Sequence, residues 1–121
     1  MTYTIALPWP SSILSPNARV HWSEKARAAK SARHAAAMLT RAAIGPTKPR
    51  WRYVTLAITF CPPDRRRRDS DNLVASLKAS CDGIADALGT DDAGFISTYA
   101  IGDPVPGGRV SVSLSEAELT R

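Results

Sequence analysis

Cysteine is scarce in this chain of 121 residues, which contains only Cys61 and Cys81. Two cysteines without metal-ligand spacing do not make a zinc site, and they are too few for the disulfide framework of a small secreted domain. We expect both to be reduced, mostly buried thiols of a cytoplasmic protein, with a disulfide between them as the open alternative.

Long hydrophobic runs are missing as well. No apolar stretch reaches the roughly 18 residues that a membrane span needs, so no membrane partner is expected. The first residues, MTYTIALPWP, lack the basic and then apolar segments of a secretory signal. Hydrophobic residues make up 44% of the chain and charged residues 22%. The composition and length therefore predict one globular domain over residues 1–121.

Acidic residues are scarce in the first part of the chain. Residues 1–68 contain 13 Lys and Arg against 2 Asp and Glu, whereas residues 69–121 contain 3 against 9. The sign of the charge changes inside the segment PDRRRRDSDN, residues 63–72. A basic region favours a polyanionic partner such as nucleic acid, because each neutralised phosphate releases a counterion. An excess of basic residues also occurs in proteins in which the net charge serves only to keep the protein soluble.

Residue patterning predicts two helices and four strands. Residues 23–44 form a basic surface helix that begins at a Ser23 cap and has a thin apolar face of alanines with Met38, Leu39 and Ile44. The strand at 50–60 is expected to be central, because its alternate residues are strongly apolar. The remaining predicted elements are a helix at 71–88 and strands at 2–7, 95–101 and 109–115.

The order of these elements predicts an α+β fold. It runs β-loop-α-β-loop-α-β-β, which implies a single domain with a small mixed sheet of about four strands packed with two main helices. The last two strands are joined by DPVPGG and are expected to form a hairpin. The pairing order of the other strands is not determined by the sequence.

Residues able to carry chemistry surround the second predicted helix. Asp69 and Asp71 alternate at its start, so that both carboxylates can face the same way. The pair Asp91-Asp92 follows the helix and can return a third carboxylate. Clustered carboxylates repel one another without a cation, and Mg²⁺ prefers oxygen ligands of this kind. A metal ion held there can activate water and stabilise the leaving oxygen in phosphodiester hydrolysis.

The four arginines Arg65, Arg66, Arg67 and Arg68 directly precede these carboxylates. Guanidinium groups pair with phosphate in a bidentate manner, so this run is expected to bind the nucleic-acid backbone. A metal-dependent nuclease requires a site that binds phosphate and, beside it, a site that holds a metal ion. The joint pattern therefore favours a nuclease.

A helical wheel of residues 71–88 separates a buried stripe from a polar face. The polar face places Lys78 on the same side as Asp71, about 10 Å further along the helix. The polar set is Asp71, Ala75, Lys78 and Asp82, and the buried set is Leu73, Leu77, Cys81, Ile84 and Leu88.

Each element of the pattern also has a purely structural interpretation. Asp-x-Asp-Asn before a helix commonly caps it. The pair Asp91-Asp92 is commonly a turn, and an arginine run is commonly a solvated face. Lys78 can equally form an i,i+4 pair with Asp82.

The chain resembles the RusA-type Holliday junction resolvases, small and often prophage-encoded endodeoxyribonucleases. The likeness rests on LPWP at 7–10 with the Ser/Pro/Asn loop after it, on PDRRRRDSDNL at 63–73, and on the acidic pair after the second helix. It implies a homodimer in the host cytoplasm that binds four-way DNA junctions and cuts two strands symmetrically with Mg²⁺ or Mn²⁺. It also implies catalytic and metal-binding roles for Asp69, Asp71 and Asp92, with Asp91 as the lesser member of its pair.

The chain departs from the family pattern at one position. In the best-known form a functional lysine follows the second motif aspartate by four residues, and this chain has Ala75 there. Lys78 lies three residues further on, within SLKASCDG, which resembles another branch of the family. Whether Lys78 takes the role of that lysine, contacting the phosphate or the leaving oxygen, is open.

The N-terminal loop matches the family more loosely. It carries Asn17, Arg19 and His21, which we expect to lie near DNA. His34, in the alanine-rich helix, is expected to be a helix-surface residue.

Two other functions fit the same residues. One is a metal-dependent nuclease acting on flaps, forks or single strands, since nothing in the sequence encodes the shape of a junction. The other is a DNA-binding protein with weak or no cleavage. The three aspartates argue against this last interpretation, and the absence of lysine at position 75 argues for it. The pathway, whether repair, recombination or phage DNA processing, is not determined by the sequence.

Overall fold

The computed structural model describes residues 1–118, and over this range a four-stranded mixed sheet packs with three α-helices. The predicted α+β fold is confirmed. No helix in this range is long and apolar enough to cross a membrane. The strands are β1 Thr2–Pro8, β2 Val54–Cys61, β3 Phe95–Ile101 and β4 Arg109–Glu116; the helices are α1 Trp22–Ile44, α2 Ser70–Ser76 and α3 Lys78–Leu88; and Ser12–Leu14 and Asp92–Gly94 form short 3₁₀ turns.

The strand order in the sheet is β1-β4-β2-β3. Strand β4 is antiparallel to both β1 and β2, whereas β3 is parallel to β2. The predicted hairpin of the last two strands is therefore wrong, because β2 lies between them. The connecting segment bonds to the end of β2 instead: the N–H of Gly102 donates to the carbonyl of Phe60 at 2.8 Å, and that of Val105 to Pro62 at 2.9 Å. Placing β4 in the interior buries its three apolar side chains Val110, Val112 and Leu114.

Strand β2 is interior to the sheet, as its pattern predicts. Its alternate residues Val54, Leu56, Ile58 and Phe60 are all buried and belong to one hydrophobic core with the inward side chains of β1, β4 and the helices. The strand begins at Val54 rather than at Arg50. Apolar burial of this kind is the main favourable term in forming the sheet.

The predicted second helix is broken into α2 and α3 at Leu77. Two local features end α2: the N–H of Leu77 bonds to the carbonyl of Val74, only three residues back, and the hydroxyl of Ser76 donates to the carbonyl of Asn72 at 2.7 Å. Side-chain bonds of this kind compete with the helical ladder. Leu77, at the break, lies in the core and is almost fully buried. Helix α3 then ends at Gly89, as predicted, with φ at 69° in the left-handed region.

Helix α1 packs against α3 through small residues. A Cβ at Gly83 would overlap the carbonyl oxygen of Arg33, so the two backbones approach closely at this point. The buried residues of α1 are Ala36, Ala37, Thr40 and Ile44. Met38 and Leu39 are exposed, contrary to the predicted apolar face. On the outside, Arg33 forms a two-pronged ion pair with Asp86, with N–O distances of 2.6 and 2.8 Å.

Candidate active site beside the second and third helices

The arginine run is folded around Asp64, a residue that the sequence analysis did not single out. One carboxylate oxygen of Asp64 accepts from the backbone N–H of Arg66 at 2.9 Å and from the guanidinium of Arg68 at 2.9 Å. The bond from the Arg66 backbone, helped by both guanidinium groups, lowers the pKa of Asp64. Asp64 is thus the residue that fixes the shape of this loop. Its spacing of two and four residues from the arginines is the signal that could have found it.

The four arginines do not have equal roles. The side chain of Arg68 is only 16% exposed. It donates to the carbonyls of Asp64 and Arg66 at 3.1 and 3.0 Å and lies over the ring of Trp9 at 5.5 Å. Arg65 and Arg67 are exposed, and neither makes an ion pair with any residue between positions 1 and 118. Arg68 therefore holds the loop together, while Arg65, Arg66 and Arg67 present the positive surface.

Asp69 is the N-cap of α2. Its Oδ1 accepts the backbone N–H groups of Asp71 at 2.9 Å and Asn72 at 3.3 Å. The capping interpretation is therefore confirmed for Asp69. Its side chain also lines a cavity of about 440 Å³ beside Trp9, Arg66 and Asn72. Asp71 follows in the first turn of α2 with an exposed side chain, where a carboxylate interacts favourably with the helix dipole.

Lys78 joins two carboxylates that are far apart in sequence. Its Nζ donates to Asp82 at 2.6 Å and to Asp92 at 2.7 Å. The predicted i,i+4 pair with Asp82 is present, and a contact with the candidate catalytic residue Asp92 is present beside it. The bond from Lys78 is the main cause of the lowered pKa of Asp92, and the bonds to Asp82 and Asp92 raise the pKa of Lys78.

A second cavity, of about 460 Å³, lies between α2, α3 and β3. Ala75 of α2 and Lys78 of α3 share its wall with Asp92, although the helix that was expected to carry both is broken between them. Cys81 also lines it, and burial raises the pKa of this thiol to about 11. Within residues 1–118, Cys81 and Cys61 form no disulfide, and both are partly buried; their redox state stays a prediction.

Asp91 and Asp92, the acidic pair after α3, make different contacts. Asp91 caps the short turn Asp92–Gly94 by accepting the N–H of Ala93 at 2.9 Å, while Asp92 faces Lys78. The turn interpretation thus holds for Asp91. Asp92 is the member of the pair that lines the cavity with Lys78, and its catalytic role stays a prediction.

The N-terminal loop presents polar residues and one unexpected aromatic side chain. His21, rather than Ser23, caps α1, since its Nδ1 accepts the N–H of Ser23 at 3.1 Å. Asn17 and Arg19 are exposed, and His34 lies exposed on α1 as expected. Sequence analysis missed Trp22, which is 75% exposed at the first turn of α1. A tryptophan among basic and polar residues at a helix start was the available signal.

Comparison with known proteins decides the family. No family model matches the chain. An uncharacterized protein of Xylella fastidiosa (strain Temecula1) is 47% identical over 104 residues, covering 84% of this chain and 68% of that protein. The crossover junction endodeoxyribonuclease RusA of Escherichia coli (strain K12) is 35% identical over 123 residues, and its namesake from Enterobacteria phage 82 is 35% identical over 125 residues. Each of these two matches covers 95% of both chains. The chain belongs to the RusA family.

In this RusA-family protein the expected catalytic residues form two groups. Asp69 and Asp71 lie at the start of α2, and Asp92 lies with Lys78 beside α3. Ala75 stands on the helix face between them, on the wall of the cavity that also contains Lys78 and Asp92. Lys78 is thus the amine that contacts the candidate catalytic carboxylate in this RusA-family chain.

The donor chemistry of this RusA-family site fits a hard divalent cation, but the observed arrangement does not. Carboxylate oxygens are the ligands that Mg²⁺ prefers. Within residues 1–118, however, no three His, Cys, Asp or Glu side chains lie close enough to hold one ion. One oxygen of Asp69 is used in capping α2, and one oxygen of Asp92 is bonded to Lys78. The metal-binding role of Asp69, Asp71, Asp91 and Asp92 therefore stays a prediction.

Proposed function

We propose that the protein is a metal-dependent, structure-specific endodeoxyribonuclease that resolves four-way (Holliday) DNA junctions as a homodimer by paired phosphodiester hydrolysis. The observations that carry the proposal are the contact of Lys78 with Asp92 and the Asp-capped start of α2 that follows the arginine run. The full-length similarity to proteins named crossover junction endodeoxyribonuclease supports it. Such a protein would act in the cytoplasm of the host cell, in DNA recombination or repair, and a prophage origin fits the phage relative.

The chain's own groups divide the work in this proposal. Arg65, Arg66 and Arg67 attract the phosphate backbone, with Arg68 fixing the loop that presents them. The side chain of Lys78 orients Asp92 at the cavity. The N-terminal loop with Asn17, Arg19 and His21 contributes further DNA contacts. Mg²⁺ or Mn²⁺ would supply water activation and charge neutralisation if Asp69, Asp71 and Asp92 were brought close enough together to hold it.

The test of the function compares substrates and metals. Labelled four-way junctions, forks, single strands and linear duplexes are incubated with the protein in Mg²⁺, in Mn²⁺ and in chelator. Paired cleavage confined to the junction and to the metal-containing reactions is expected. Cleavage of forks or single strands alone would identify a different nuclease, and tight junction binding without cleavage in either metal would identify a DNA-binding protein without catalysis.

Replacing Arg67 by Ala is expected to weaken binding to any DNA and to reduce the salt slope of binding by about one, since an exposed guanidinium that contacts phosphate is lost. Arg68→Ala is the matched variant, because it removes the same charge from the next position. It is expected to lower the free energy of unfolding by about 1–3 kcal/mol, since bonds that fix the loop are lost. Binding titrations at several salt concentrations and thermal melts of both variants measure these effects. An unchanged salt slope in Arg67→Ala would show that this residue does not contact phosphate.

Replacing Lys78 by Ala is expected to lower the single-turnover cleavage rate about 10- to 100-fold with junction affinity retained, because Asp92 loses the side chain that orients it. Adding Ala75→Lys to this variant is expected to restore part of the rate, since position 75 lies on the wall of the same cavity. A rate equal to that of the unmodified protein would leave Lys78 as a surface partner of Asp82 alone.

A further inference from the structure

A row of three cations lies just before strand β2, at the opposite end of that strand from the arginine run. Lys48, Arg50 and Arg52 are exposed, whereas the residues between them are half-buried. Such alternation is typical of an extended segment, in which residues two apart point to the same side. The three cations therefore share one side of the segment, along a length of about 13 Å. We call them the basic row.

The positive charge of the basic row is not neutralised within the protein. None of the three cations forms an ion pair with a residue between positions 1 and 118. The guanidinium of Arg52 lies over the ring of Tyr53 at 5.3 Å, and the Nζ of Lys48 lies 3.2 Å from the place that a Cβ of Gly89 would take. Gly89 ends helix α3, and a helix C-terminus favours a cation, which accounts for Lys48 but not for Arg50 or Arg52.

The basic row borders a cavity of about 570 Å³. Lys48 and Arg50 line it together with Trp51 and with two hydroxyl side chains, Thr47 and Thr90. Among the residues of positions 1–118 that form its wall, none is acidic. Cationic and hydroxyl side chains are the groups that bind phosphate oxygens in protein–DNA interfaces. The wall therefore fits a phosphate group.

The cavity of the basic row lies next to the Lys78–Asp92 contact. Val54 at the start of β2 pairs with Phe95 at the start of β3, so the segment before β2 lies near the turn that carries Asp92. Thr90 lines the cavity of the basic row and also a neighbouring cavity, of about 420 Å³, that Lys78 and Asp92 line. Both carboxylate groups of the candidate site thus have a cationic surface beside them. The arginine run precedes the carboxylates of α2, and the basic row lies near Asp92.

We propose that Lys48, Arg50 and Arg52 form a second phosphate-binding surface, which holds the DNA backbone near Asp92 while the arginine run holds it near the start of α2. The inference rests on the proposed function, because both surfaces would hold the DNA that the site cuts. Strand β2 separates the two surfaces, and its 8 residues span about 25 Å. A DNA strand carries one phosphate per about 3.4 Å of helix axis, so a duplex of about eight base pairs spans this distance.

Two matched double variants test the surface. Arg50→Gln with Arg52→Gln removes two charges of the basic row, and Arg27→Gln with Lys30→Gln removes two exposed charges of helix α1. The row variant is expected to reduce the salt slope of DNA binding by about two and to raise the dissociation constant at least about fivefold, since phosphate contacts are lost. The α1 variant has the same net charge and is expected to bind nearly as the unmodified chain does.

Binding is measured by fluorescence anisotropy of a labelled four-way junction, in chelator and at several salt concentrations. Circular dichroism confirms that both double variants are folded.

Chemical footprinting of the unmodified protein gives an independent measurement. Lysine side chains are acetylated with and without the junction, and the extent of acetylation is determined by mass spectrometry. Lys48 is expected to be protected by the DNA, whereas Lys30 on α1 is expected to react equally in both samples.

An unchanged salt slope in the row variant, or equal losses in the two double variants, would overturn the proposal. So would equal acetylation of Lys48 with and without DNA. These outcomes do not depend on cleavage, because binding is measured in chelator. A protein that cleaves junctions but keeps its salt slope in the row variant would reject the surface and leave the function. A protein that binds DNA through the basic row without cleaving it would do the reverse.

Discussion

Replacing Asp71 by Asn is expected to lower the rate of junction cleavage at least about 100-fold while junction affinity stays nearly unchanged. Asp71 is exposed in the first turn of α2, and the cap of this helix is supplied by Asp69. Asparagine has nearly the same shape and keeps the backbone N–H that donates to Asp69. The variant therefore removes a carboxylate charge without removing a bond that builds the helix.

The fold of Asp71→Asn is expected to remain close to the original in stability. Loss of the favourable interaction with the helix N-terminus costs about 0.3–1 kcal/mol. A thermal melt separates this small change from the large change in rate. Asp103→Asn, which alters an exposed aspartate in the loop after β3, is the matched control and is expected to cleave normally. Equal cleavage by Asp71→Asn and Asp103→Asn would reject the catalytic assignment of Asp71.

Replacing Gly83 by Ala is expected to lower the free energy of unfolding by about 3 kcal/mol. The added Cβ would overlap the carbonyl oxygen of Arg33 and would lie 3.0 Å from the Cβ of Ala36. Both obstacles are on α1 and one is backbone, so the helices must separate, and rotation of a side chain cannot relieve the overlap. In an exposed helix the same change would stabilise by up to about 1 kcal/mol, so the sign of the effect identifies the close contact of α1 and α3.

The stability of Gly83→Ala is measured by urea or thermal unfolding, with a decrease of about 10 °C in the melting temperature expected. Gly107→Ala serves as the control, because Gly107 has φ at 77° and open space where a Cβ would lie. It is expected to lose about 1 kcal/mol from backbone strain alone. Equal losses in the two variants would show that packing at Gly83 has no special effect.

Local patterns predicted much of the fold and the composition of the site. The alternation in β2 predicted its buried face, because successive side chains in a strand point to opposite sides wherever the strand lies. Gly45 and Gly89 predicted the ends of α1 and α3. Both adopt a positive φ, which glycine reaches more easily than other residues. The cap at Asp69 and the i,i+4 pair of Lys78 with Asp82 are likewise contacts between residues that are close in sequence.

Contacts between distant segments were decided only by the tertiary structure. Strand β4 lies between β1 and β2, where Val110, Val112 and Leu114 are buried. The turn residues between β3 and β4 predict a hairpin, but they contain no information about which strands bury these three side chains best. The break at Leu77 was likewise not predicted: a pattern that buries Leu77 on a continuous helix also fits two shorter helices that meet at a buried Leu77.

The same division holds within the candidate site. The sequence determined that carboxylates surround the second and third helices and that four arginines precede them. It did not determine that Arg68 is used to build the loop or that Lys78 also reaches Asp92. Spacing along the chain specifies which residues share a helix face, whereas a bond between Lys78 and Asp92 depends on how α3 and the turn after it pack on the sheet.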